Sequence, residues 1–200
     1  MSFDLFNQPN QDNMASATIF KNFTQKVENL SLINITKRIQ NDTYKIEVNN
    51  IRNLTELGKL EEASEAKKQL LGFTTSGTFD NGRKSELITT YSQYIVLDFD
   101  KIGKDKVAEI KQIAAGIPHT FCAFISPSGN GLKIIVEVNS PVEYHETAYF
   151  QLADYYSKSL NIEIDSSGKD LARLCYMSYD PELYKNLNPT PFQVDINKYF

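Results

Sequence analysis

The sequence predicts an α/β protein in which a split βαβ core follows an N-terminal helical extension. Apolar side chains recur at helical spacing through residues 16–72. From residue 73, short β-branched and aromatic runs alternate with two helical stretches, in the order strand, helix, strand, strand, helix, strand. At 200 residues the chain is long enough to bury a substantial core.

Residues 1–15 are rich in Asn, Gln and Ser and read as a flexible arm. Residues 16–72 read as a helical subdomain. Ser31 caps a helix carrying Leu32, Ile35 and Ile39. Ile51, Leu54, Leu57, Leu60, Ala63 and Leu70 carry the helical period onward, with a break at Gly58. Lys37, Arg38, Lys45, Arg52, Lys59, Lys67 and Lys68 decorate these helices. They read mainly as a solvated face, with some placed to line a backbone-binding groove. In residues 73–200 strands are expected near 73–79, 94–100, 120–126, 132–138 and 162–165, with a final pair near 174–178 and 191–195. Helices are expected near 104–115 and 142–159, with Pro141 suited to a first helical turn.

Hydrophobic content of 41% and a mean hydropathy of −0.38 are those of an ordinary globule. The start lacks a basic segment leading into an apolar one, and no apolar run reaches membrane-spanning length. A cytoplasmic protein with no membrane partner is expected. Cys122 and Cys175 lie in apolar, strand-like text and read as buried thiols, and two cysteines without neighbouring histidines cannot form a zinc knuckle. The net charge of −4 comes from residues beyond 90, and no basic stripe is present. Contact with nucleic acid must therefore come from local patches.

Three constellations carry chemistry. Tyr94-Ile-Val-Leu-Asp98-Phe-Asp100 reads as a strand whose end presents two carboxylates on one face while Phe99 enters the core. Alternate side chains of a strand sit roughly 6.5–7 Å apart, and carboxylates so placed repel unless a cation such as Mg²⁺ or Mn²⁺ lies between them. The plainer alternative is a pair of aspartates opening a surface loop. Next, Ser126, Ser128, Gly129, Asn130, Gly131 and Lys133 fall between two strands. Asn-Gly there signals a hairpin turn. Glycine backbone amides, serine hydroxyls and a lysine are also the groups that bind phosphate. Last, Asp165 closes a short apolar stretch, with Lys169 and Arg173 just beyond. It reads as a turn residue or as a third carboxylate.

Together these segments resemble the archaeo-eukaryotic primase (primase-polymerase) superfamily, and within it the virulence-protein-E N-terminal-like domains of bacterial mobile-element and phage replication proteins. Phe73–Phe79, Tyr94–Lys101, Ser126–Lys133 and Asp170–Pro181 carry the resemblance. It implies an RRM-like primase-polymerase core with Asp98, Asp100 and Asp165 as catalytic metal ligands for Mg²⁺ or Mn²⁺. Ser126, Ser128, Gly129, Asn130, Gly131, Lys133 and Arg173 would bind the nucleotide. The implied partners are nucleoside triphosphates, a single-stranded DNA template and a helicase domain or protein. Lys133 stands where the superfamily pattern has histidine, which leaves open a catalytically silent module that binds nucleotide or single-stranded DNA. Tyr176 and Tyr179 read as rim packing or as stacking surfaces for bases. Other metal-dependent transferases and phosphatases match less well around Asp98 and Asp100. A rolling-circle initiator would need a His-x-His pair, whereas His119 and His145 lie far apart.

Overall fold

The computed structural model of the protein describes residues 15–164 and 166–198. In chain order its elements begin with strands β1 (Ser16–Lys21) and β2 (Gln25–Ser31), then helices α1 (Leu32–Gln40), α2 (Lys45–Glu56) and α3 (Leu60–Lys68). Strands β3 (Gly72–Thr74), β4 (Gly77–Phe79), β5 (Ile88–Tyr91) and β6 (Tyr94–Phe99) follow, then α4 (Lys104–Ala115). The chain continues through β7 (Thr120–Ile125), β8 (Leu132–Glu137), α5 (His145–Leu160), β9 (Leu174–Tyr176) and β10 (Tyr184–Lys185).

The architecture is mixed α/β with antiparallel sheets. One sheet has the order β2-β1-β3-β9 and the other β10-β7-β8-β6, while β4 and β5 pair as a separate ribbon. Strand alternation places the layers. Ile95, Leu97 and Phe99 of β6 join Ile134 of β8 in a cluster with α4 and α5. Val96 of β6 and Ile135 of β8, on the opposite face, pack with Ile19, Phe73 and Cys175 of the first sheet and with α1 and α2. The second sheet thus lies between a helical layer and the first sheet. Strands β6 and β7 flank β8, and α4 connects them, which makes a split βαβ unit. Thr120 ties this layer together: its hydroxyl donates to the Ala114 carbonyl at 2.8 Å and lies 2.8 Å from the Tyr156 hydroxyl.

Local signals account for much of the helical text. Ser31 accepts a hydrogen bond from the Asn34 amide at 3.3 Å, and Leu32, Ile35 and Ile39 are buried. Gly58, at φ +73°, separates α2 from α3. Helix α4 spans the expected residues, and α5 follows a short 3₁₀ turn at Val142–Tyr144. Both cysteines are free and buried. No helix among the described residues is long and apolar enough to cross a membrane.

Other expectations require correction. Residues 16–31 are not helical but form β1 and β2. Strand β2 is a polar edge strand, and only its pairing with β1 makes it one. The expected strand at 73–79 is two strands belonging to different sheets. Gly77, which opens β4, brings its backbone so close to Thr90 that a Cβ would lie 2.1 Å from the Thr90 carbonyl oxygen. Residues 162–164 form no strand, and around 191–195 only a bridge from Phe192 to Val138 is made.

His145, at the start of α5, is buried beneath Tyr91, whose hydroxyl lies 3.1 Å from its Nδ1. Burial pushes its pKa down to about 4, against smaller opposite effects of Asp170 and Glu146. Below pH 6.5 the unfolded chain takes up a proton that the folded chain refuses, so this contribution is complete above pH 6.5 and is lost as pH falls towards 4. Urea unfolding between pH 6 and 5 should show stability falling by up to ~1.4 kcal/mol per pH unit from this residue. His145→Gln should flatten that slope.

Candidate functional site

Strands β6 and β8 pair Asp98 directly with Lys133. Both side chains face the first sheet, so the pair is enclosed: Lys133 is 5% exposed and Asp98 15%. The Lys133 ammonium donates to Asp98 Oδ2, and Arg173 Nη2, entering from the start of β9, lies 3.8 Å from the same oxygen. Burial works against the Lys133 charge, but Asp98, with smaller effects of Cys175 and Asp100, overcomes it and raises the pKa above the usual lysine value. Asp98 Oδ1 is buried and has no hydrogen-bond partner among the described residues.

Asp100 is exposed where the chain leaves β6, and no hydrogen bond or ion pair engages its side chain among the described residues. Gly131 connects it to the β7–β8 turn: a Cβ there would meet the Phe99 carbonyl oxygen at 2.8 Å, Ser126 Oγ at 3.1 Å and Asp100 Oδ1 at 3.3 Å. The turn is a closed hairpin. The Ser126 amide donates to the Gly131 carbonyl at 2.8 Å, and the Gly131 amide returns a 3.2 Å bond to Ser126 Oγ. Ser126 and Ser128 hydroxyls lie 3.0 Å apart, and Ser128 donates to Asn130 Oδ1 at 2.6 Å.

The turn is anchored from behind by the segment after β9. Asp180 accepts from the Ile125 amide at 2.9 Å and forms a buried ion pair with Lys111 of α4. The Ser178 hydroxyl donates to the Ile125 carbonyl at 2.7 Å. Arg52 of α2 donates from Nη2 to the carbonyls of Tyr179 at 2.8 Å and Ser126 at 3.3 Å. Burial is the chief cause that lowers its pKa from the usual arginine value. Asp180 and Arg52 are positioning residues that sequence reasoning missed. Arg52 reaches backbone carbonyls, and Asp180 reaches a backbone amide and a lysine 69 residues away, so no local pattern of side-chain types marks either.

Lys67, which reads from sequence as one of several solvated cations, belongs to the site. Its ammonium lies 5.4 Å from the centre of the Tyr176 ring. Burial and Lys133 lower its pKa, while Asp98 and Asp100 oppose them. Cys175, between these groups on β9, is pushed up to about 11 chiefly by burial and is no reactive thiolate. Lys169 turns away to pair with Glu146. Tyr176 is half-buried against Phe23, and Lys45 lies over Tyr179. Tyr149 and Tyr156 are buried in the core. Asp165 lies outside the described residues. Among those described, no three His, Cys, Asp or Glu side chains are grouped to hold a metal.

The site therefore joins two carboxylates, one with a buried oxygen that lacks a partner among the described residues, to Lys67, Lys133 and Arg173. A family model described as BT4734-like, N-terminal domain, matches residues 65–184. The chain belongs to the BT4734-like family. The BT4734-like match takes in Lys67, both aspartates, the turn and Asp180, and starts after Arg52. No curated protein and no solved structure matches the chain.

Because Asp98 neutralises an enclosed ammonium and Asp100 is exposed, their removal should differ in cost. Asp98→Ala should destabilise the protein by about 3 kcal/mol in urea unfolding, as expected when one partner of a buried pair is lost. Asp100→Ala should cost less than about 1 kcal/mol. The double substitution Asp98→Leu/Lys133→Met should recover much of the first loss.

Proposed function

We propose that this chain is a primase-polymerase-type nucleotidyl-transfer domain that acts in the cytoplasm on nucleoside triphosphates and a single-stranded DNA template. It would work alongside a helicase. The observation that carries the reading is the buried Oδ1 of Asp98, without a partner among the described residues, in the company of Lys67, Lys133 and Arg173. A buried carboxylate oxygen without a donor is costly unless a cation meets it. The split βαβ unit around β8 is consistent with an RRM-like core.

Asp98 and Asp100 would hold Mg²⁺ or Mn²⁺, which needs few protein ligands when substrate phosphates supply the rest, and by resemblance Asp165 would be the third. When bound, the metal would lower the pKa of the attacking 3′-hydroxyl and offset charge on the departing pyrophosphate. The chain's own groups do the holding. Lys133 orients Asp98 through its ion pair. Lys67 and Arg173 place positive charge where a triphosphate would lie. The closed Ser126–Gly131 turn fixes its backbone beside Asp100 before substrate arrives, so that less ordering entropy is lost on binding.

One observation favours a second reading. The Lys133 ammonium already occupies one oxygen of Asp98. If it stays there with nucleotide bound, the domain would bind nucleotide or single-stranded DNA without making product.

Primer synthesis on single-stranded DNA with labelled nucleotides and Mn²⁺ or Mg²⁺ decides between them. Metal-dependent product from wild type, reduced to background in Asp98→Asn/Asp100→Asn, is the expected result. Nucleotide or DNA binding without product would favour the silent module. Loss of both binding and synthesis in folded wild-type protein would sink the primase reading.

A further inference from the structure

We propose that the cavity between α2 and the β7–β8 turn is a second site, which takes a backbone phosphodiester of single-stranded DNA. The inference deepens the nucleotidyl-transfer reading and rests on it for the identity of the polymer.

The cavity has a volume of ≈ 330 Å³, and Asn49, Arg52, Asn53, Lys104, Ser128 and Asn130 contribute to its lining. Asp98, Asp100 and Lys133 do not. The turn therefore presents different residues to two sites, with Gly131 against Asp100 and the Ser128–Asn130 tip towards α2. On α2, Asn49, Arg52, Asn53 and Glu56 share one face at helical spacing.

The donors are held in place. Arg52 Nη2 is fixed by two backbone carbonyls, and Nη1 has no hydrogen-bond partner among the described residues. Because Ser128 donates to Asn130 Oδ1, the Asn130 amide is oriented, and its Nδ2 has no hydrogen-bond partner among the described residues. Gly129, at φ +81°, lies so close to Arg52 that a Cβ would sit 3.3–3.4 Å from its Cγ, Cδ and Nε. Lys104, which opens α4, pairs with Glu56, but both side chains are more than half exposed and the pair is easily exchanged.

Charge selects the ligand. Two cations and one carboxylate leave a single net positive charge, which suits one phosphodiester and is too little for a triphosphate. The amide and hydroxyl donors suit phosphate oxygens and carry no base preference.

The test is fluorescence anisotropy of a labelled oligothymidylate across a salt series, without metal or nucleotide, using the whole chain. Lys104→Ala should weaken binding and lower the slope of log affinity against log salt by ~0.7. Asn53→Asp, at an exposed position, should weaken binding about tenfold by adding a negative charge to the cavity. Triphosphate affinity, measured on the same variants, should not change. Oligothymidylate binding that is absent in wild type or insensitive to both substitutions overturns the inference. Triphosphate affinity that falls in step assigns the cavity to the nucleotide and overturns it too. Asp98→Asn/Asp100→Asn separates the two readings. If wild type binds the oligonucleotide through Lys104 yet makes no primer, the catalytic reading fails and this site stands.

Discussion

The ion pair between Lys133 and Asp98 constrains the rest of the site. An ammonium enclosed between two sheets must be neutralised where it sits, because the loss of hydration is repaid only by a close, well-oriented opposite charge. The pair also marks the strand register. A slip of one residue by β6 would turn Asp98 into the apolar α4–α5 cluster and leave Lys133 facing the first sheet without its partner. With the register held, the Phe99 carbonyl abuts Gly131, the turn closes on Ser126, and Asp100 emerges beside it.

Around this pair, polar groups are satisfied through backbone. Asp180 reaches the Ile125 amide, Ser178 the Ile125 carbonyl, Arg52 the carbonyls of Ser126 and Tyr179, and Lys111 both Asp180 and the Glu182 carbonyl. Such a network is rigid because breaking any member strands another buried group. Asp98 Oδ1 is an exception to this satisfaction. Arg52 Nε, Thr75 Oγ1 and Ser140 Oγ are likewise buried without a partner among the described residues, and of these atoms only Asp98 Oδ1 belongs to a carboxylate.

The distribution of charge follows from the same geometry. The chain is acidic overall, with a net charge of −4, yet Lys67, Lys133 and Arg173 gather around Asp98 from α3, β8 and the start of β9. No stripe of basic residues announces this, because three separate elements each contribute one cation. Local concentration rather than overall composition sets the charge around Asp98.

Much was legible in the sequence itself. The strand ending in Asp98 and Asp100, the hairpin around Asn130-Gly131, the Ser31 cap, the break at Gly58 and the span of α4 all rest on local signals: alternation, turn chemistry, capping and helical period. These are short-range effects, complete within a few residues. What the tertiary structure decided was partnership. Strand β2 has no apolar alternation and is a strand only because β1 lies beside it. Strands β3 and β4 lie three residues apart in the chain yet belong to different sheets, and Gly77 lets β4 approach the Thr90 backbone closely. Lys67, Arg52 and Asp180 look like ordinary surface or turn residues until strands and helices distant in the chain surround them. Desolvation and long-range hydrogen bonding depend on what the folded chain brings near, and no local pattern in the text encodes them.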